Sequence, residues 1–278
     1  MKKTISFLSL LFGLFVCVTA FSACGGDDEP SSGGNNGSSN NQTSGNDQTP
    51  STPQSSKHVA KIITEEGSSF YEYSFTYDSQ GRVIKVTETQ SGTGTNSHSE
   101  TEYQYGEMLI ISKMKGEGTY SNGQSFTRTE SHSYTLENGR IVKDEEKQGS
   151  SLNSTSSSRT DTFSYDANNY LSSINTKMLT WSDGNLIKLG DRSFEYSNYP
   201  WVKGFPLYLE SSNMDANLFA IGYYGNIPKN LPSKTIASET SGYTYDYTFE
   251  GSYVTKVVIT PFVENNKSHK SISTIIWE

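Results

Sequence analysis

Phe75-Thr76-Tyr77-Asp78-Ser79-Gln80-Gly81-Arg82-Val83-Ile84-Lys85 is the stretch on which the fold class turns. Its first half continues an alternation in which Tyr71, Tyr73, Phe75 and Tyr77 fall on one face and Glu72, Ser74, Thr76 and Asp78 on the other. Period-two alternation of this kind is the pattern of a strand with one dry and one wet side. A short polar turn containing Gly81 then leads into an aliphatic run closed by Lys85, so the stretch reads as a β-hairpin.

The same phrase recurs at Tyr134 to Lys143, Leu179 to Lys188 and Tyr247 to Lys256, with looser copies beginning at Tyr103, Phe163 and Phe194. Asn138-Gly139 and Asp183-Gly184 supply residues that accept the positive φ of a tight turn. Polar segments such as Gln90 to Ser99, Gly116 to Ser125 and Gln148 to Ser158 read as long hydrophilic loops between hairpins. Residues 57–278 are therefore expected to form a single all-β domain, an antiparallel hairpin meander. With roughly a dozen strands, such a sheet must curl strongly or close into a barrel to hide its edges.

One segment breaks the rhythm. Residues 199–232 carry Pro200, Pro206, Pro228 and Pro232, and a short helix is expected near Ser212 to Gly222. There Met214, Leu218 and Ile221 share a face, Asn213 stands at the capping position and Gly222 at the end. Tyr199, Trp201, Phe205, Tyr208, Tyr223 and Tyr224 crowd this insert. Flat rings with polar edges stack on sugars and peptides, which makes these six the candidate ligand-binding residues; the alternative is that they form core under the helix.

The first 56 residues carry an address. Lys2 and Lys3, an apolar run from Ile5 to Val18 and small residues before Cys24 have the layout of a secretory signal peptide spanning residues 1–23. The run is shorter than the about 20 apolar residues that cross a bilayer. Residues 30–56 hold no aliphatic, aromatic or Cys residue, so residues 24–56 read as a disordered Ser/Gly/Asn-rich stalk.

Composition removes several function classes. Of the 2 cysteines, Cys17 lies in the leader and Cys24 at its cut, which leaves the β domain without a disulfide, thiolate metal site or Cys nucleophile. Loss of Lys2 and Lys3 takes the formal net charge from −8 to −10, which repels nucleic acid. His58, His98, His132 and His269 read as isolated surface residues, and Asp144-Glu145-Glu146 as a solvated turn. No nucleophile elbow, phosphate loop, zinc-protease helix or dinucleotide fingerprint is present. No catalytic residue, metal or cofactor is therefore assigned, and the protein reads as non-enzymatic.

Phe21-Ser22-Ala23-Cys24 resembles the lipobox of bacterial lipoproteins, with Phe21 departing from the usual aliphatic residue. Gly25-Gly26-Asp27-Asp28-Glu29 is similar to the acidic surface-export signal of lipoproteins in Bacteroides and its relatives. Together with the stalk and the Tyr-Asp hairpins, the chain resembles a Bacteroides-type surface lipoprotein of a family of unknown function with a porin-like fold. The resemblance implies a diacylglycerol and palmitate anchor on Cys24, an outer-membrane or cell-surface location and a barrel-like shape. It supplies no catalytic residue. By analogy with glycan capture by such lipoproteins, the expected ligand is an extracellular glycan ahead of a protein, and the competing expectation is an envelope scaffold without a small-molecule site.

Overall fold

The computed structural model describes residues 57–92, 94–152, 156–207, 214–263 and 269–278. The leader, Cys24 and the stalk lie outside the described residues. The first strands are β1 (Val59–Glu66), β2 (Ser69–Tyr77), β3 (Val83–Ser91), β4 (Thr95–Tyr105), β5 (Leu109–Tyr120) and β6 (Ser125–Glu137). They are followed by β7 (Arg140–Ser150), β8 (Ser156–Tyr165), β9 (Leu171–Ile174), β10 (Lys177–Ser182), β11 (Asn185–Leu189) and β12 (Arg192–Pro200). After the helix α1 (Ala216–Ala220) come β13 (Asn230–Ser238), β14 (Ser241–Glu250), β15 (Tyr253–Val263) and β16 (Ser271–Trp277). Each strand pairs with its neighbour in sequence, and β1 pairs antiparallel with β16, so the meander closes into a barrel.

The expected loops are shorter than their composition suggests. Gly116 to Tyr120 belongs to β5 and Gln148 to Ser150 to β7, because strand pairing continues through polar sequence when both faces meet polar surroundings. Among the described residues the barrel has 16 strands, against the roughly a dozen expected.

The repeated phrase builds one end of the barrel. Asp78 Oδ1 accepts from the backbone N–H groups of Gln80 and Arg82, both at 2.9 Å, and Asp166 does the same for Asn168 and Tyr170 at 2.9 and 2.8 Å. Asn138 and Gly139 turn with φ of 51° and 76°, Asp183 and Gly184 with 50° and 80°. Before each turn an even-numbered strand buries an anchor, such as Phe75, Tyr103, Tyr134, Phe163, Phe194 or Tyr245. After it an odd-numbered strand buries an aliphatic residue, such as Val83, Ile110, Ile141, Leu171, Leu186 or Val254.

Adjacent hairpins have no covalent turn between them at this end, and an aromatic side chain takes its place. Two residues beyond the anchor, Tyr77 Oη donates to the carbonyl of Val59, Tyr105 to Val83, Tyr165 to Ile141, Tyr196 to Leu186 and Tyr247 to Pro232. Trp181 Nε1 donates to Leu171 and Trp277 Nε1 to Val254. These bonds span 2.6–2.8 Å and always reach back to the preceding strand. In β6 the position is Leu136, which has no such donor.

The insert fills this end. Trp201, Phe205, Leu218, Phe219 and Tyr224 are each at most 4% exposed. Phe205 meets Trp277, Tyr224 meets Phe163 edge-on at 5.1 Å, and Tyr223 stacks on Tyr105 at 5.9 Å, so the insert touches widely separated strands. The helix is shorter than expected. Its cap is Asp215, whose Oδ1 accepts from Asn217 and Leu218 at 2.8 and 3.0 Å, whereas Asn213 lies outside the described residues.

Outward faces of the long strands are polar: Thr127, Thr129, Ser131 and Ser133 on β6, Lys143, Glu145 and Lys147 on β7, Ser158, Thr160 and Thr162 on β8. The exposed large apolar residues, Phe70, Met108, Leu109, Met178, Ile187, Tyr199 and Ile276, are spread over separate strands and turns. A lipid-facing barrel carries instead an apolar band about 25 Å tall. Truncation of Trp201 checks the plug: Trp201→Ala is expected to lower stability by about 3 to 5 kcal/mol in denaturant melts through the cavity left. Trp201→Phe is expected to cost far less, because Trp201 Nε1 meets no acceptor among the described residues.

Candidate functional site

Beyond the plug the interior becomes polar. Stepping along the inward face of β6 from the hairpin end, Leu136 and Tyr134 are buried apolar anchors, and the next inward positions are His132, Glu130 and Arg128. Their side chains are 15%, 18% and 19% exposed, against 1% for Tyr134, so water reaches them from the end away from the plug. On β8, Phe163 is followed in the same direction by Asp161 and Arg159.

A recurring β-bulge sets the inward positions of β7. In β6 paired with β7, the register shifts between Thr135 and Leu136, and comparable shifts occur at Thr76/Tyr77, Thr180/Trp181 and Thr248/Phe249. Four aliphatic strands turn inward at their first buried residue and three residues later, at Val59 and Ile62, Leu171 and Ile174, Leu186 and Leu189, and Val254 and Val257. In β7 these two places are Ile141 and Asp144. A carboxylate stands where β1, β9, β11 and β15 hold apolar core, and Glu146 and Gln148 continue the line toward the opening.

These side chains form one network. His132 Nδ1 lies 2.9 and 3.0 Å from the two oxygens of Asp144, and His132 Nε2 lies 3.0 Å from Glu130 Oε1. Arg128 binds Glu130 Oε2 at 2.7 Å, and Gln148 donates to both Glu130 and Glu146. Arg159 approaches Glu146 Oε2 and Asp161 Oδ2, both at 2.8 Å. The Tyr134 ring, parallel to the imidazole at 5.3 Å, fixes its plane. Burial alone would lower the His132 pKa, but the hydrogen bonds to Asp144 and Glu130 outweigh it and raise it to about 10, so the ring is an imidazolium at neutral pH. For Glu130, burial is overcome by the bonds from His132 and Arg128, which hold it at about 2. Burial pushes Glu146 up, against the pull of Arg159 and His132.

The site differs from the sequence reading in two respects. His132 is part of a buried network and not an isolated surface residue, and Asp144 and Glu146 point inward while only Glu145 is solvated, because a strand sends alternate residues to opposite faces. The aromatic insert is mostly core: Trp201, Phe205 and Tyr224 are 2%, 2% and 1% exposed and offer no stacking face. Tyr223 is half-buried against Tyr105, and Tyr199 is exposed beside Phe249. Tyr208 lies outside the described residues. A separate open hollow of about 550 Å³ lies over the far ends of β3 to β6, among Thr89, Asn96, His98, Glu117 and Thr127.

Residues 75–257 match a family model described as a domain of unknown function (DUF4595) with porin-like fold. The chain belongs to this family. The matched segment runs from the Phe75 anchor in β2 to Val257 in β15, so it contains most hairpin copies and the insert. Among solved structures, the chain is similar to a porin-like protein from Bacteroides vulgatus, at 12% identity over 80% of this chain and 99% of that one, with a TM-score of 0.30. No curated protein matches.

Glu88, inward on β3, accepts from Tyr73 and Ser99 at 3.2 and 3.3 Å, yet burial pushes its pKa up to about 7. An acid with a raised folded-state pKa stabilises the fold most when protonated, so this contribution is complete below about 4.5 and lost as pH rises toward 7. Glu88→Gln is expected to match the wild type in melts at pH 4.5 and to exceed it by about 2 kcal/mol at pH 8, after allowance for screening at a partly exposed position.

Proposed function

We propose that the protein is a non-enzymatic lipoprotein, anchored through Cys24 and held off the membrane by the 24–56 stalk, whose barrel is a blind cup that binds an extracellular glycan. The plug argues against a through-pore. The observation that carries the binding reading is the half-open network of Arg128, Glu130, His132, Gln148 and Arg159 on the inner wall, facing the end the plug leaves free. Carboxylates, amides and guanidinium groups fixed in one geometry are what hydrogen-bond a ring of hydroxyls, and rigid walls spare the ordering cost of binding. Burial of Trp201, Phe205 and Tyr224 moves the proposed site from the insert to this wall. The anchor rests on the resemblance of Phe21-Ser22-Ala23-Cys24 to a lipobox and on the acyl chains' membrane affinity, about 0.8 kcal/mol per CH₂ buried.

Cells producing the wild type, Arg128→Ala and Cys24→Ser test both halves when stained with a fluorescent glycan library and fractionated. Wild-type cells should retain at least one glycan. Arg128→Ala should bind it about 10-fold or more weakly, as loss of a charge-assisted hydrogen bond does. Cys24→Ser should leave the protein unlipidated and absent from the cell surface. Failure of every glycan on the wild type, or equal staining of all three strains, would overturn the proposal.

A further inference from the structure

We infer that Glu130, His132 and Glu146 form a binding site for one divalent transition-metal cation of the zinc class. One ligand atom from each of these three residues lies within 4.8 Å of the others, on the inward faces of paired strands β6 and β7. A tetrahedral zinc ion with nitrogen and oxygen ligands at about 2.0 to 2.2 Å needs closer spacing, so Glu146 has only to swing inward toward the His132 and Glu130 pair. A fourth position faces the open end of the cup, from which His132 and Glu130 are reached by water.

The surroundings are those of a metal site's outer shell. Metal-bound histidines hand their other ring nitrogen to a carboxylate, which fixes tautomer and orientation. Asp144 holds His132 Nδ1 with both oxygens and leaves Nε2 pointing at Glu130 Oε1. Arg128 and Gln148 take the outer oxygen of Glu130. The oxygen Oε2 of Glu146, a residue 4% exposed, is fully buried and takes no hydrogen bond among the described residues, and its cationic neighbour is Arg159 at 2.8 Å. A buried carboxylate oxygen with no hydrogen bond keeps lone pairs that a metal cation can take. Asp144 occupies a place that is apolar in β1, β9, β11 and β15, and its carboxylate holds the His132 ring in position. Binding replaces the proton between His132 Nε2 and Glu130 Oε1 with the cation and releases that proton to solvent. Imidazole among the ligands favours zinc over calcium or magnesium, which prefer oxygen alone. The site does not depend on glycan binding.

The purified protein, stripped with a chelator, is titrated with Zn²⁺ by calorimetry and with Co²⁺ by absorption spectroscopy. One equivalent should bind, and Co²⁺ should develop the intense visible bands of a four-coordinate centre. His132→Gln, which removes the Nε2 ligand, should weaken binding at least 30-fold. Asp144→Asn acts through the histidine and should weaken it about 10- to 100-fold. Circular dichroism of the chelated variants checks that the fold persists, and a fold lost in His132→Gln moves the comparison to Glu130→Gln. Absence of binding at a millimolar concentration, or affinity unchanged in both ligand variants of intact fold, would overturn the inference.

Discussion

Seven aromatic side chains, each placed two residues after a buried anchor, tie one hairpin to the one before it where no turn joins them. A phenol or indole suits the task because its ring is apolar wall and its single donor reaches a backbone carbonyl that would otherwise be buried unpaired. The bonds fix hairpin against hairpin, and so fix which face of every strand turns inward. The bulge beside them, the aliphatic pair three residues apart and the closure of β1 on β16 follow from that register.

A ring of this circumference is too wide to be filled by wall side chains at the hairpin end, and the insert between β12 and β13 fills it in place of a turn. Asp215 links the two parts: part-buried, with its pKa raised by desolvation, it caps α1 and accepts from Tyr103 Oη at 2.7 Å. Away from the plug the wall has only itself to pack on, and its inner face turns polar, with Arg128 and His132 pairing with Glu130 and Arg159 pairing with Asp161. Closed apolar end and open polar end are consequences of one insertion.

Strand content, hairpin turns and the irregular insert were legible because they depend on alternation and on residues such as Asn138-Gly139 that act over a few positions. The network was not, although its signal was present. Counting back by twos from Tyr134 and Phe163 gives His132, Glu130 and Arg128, and Asp161 and Arg159. Asp144 required knowing the bulge, which aligning the hairpin copies exposes: Ile62, Ile174, Leu189 and Val257 stand where Asp144 does. Composition misled in the polar segments, since Gly116 to Tyr120 pairs as strand despite its loop-like sequence. The aromatic insert misled because rings suited to stacking on a ligand are equally suited to filling a barrel.

The account stands on the polar outward faces of the long strands, where a membrane-spanning barrel carries an apolar band. Residues 57–278 produced alone in detergent-free buffer, followed by sedimentation and far-ultraviolet circular dichroism, test this most directly. A discrete, β-rich species that sediments without aggregates is the predicted result. A chain that aggregates until detergent is added, and only then gains β structure, would contradict it.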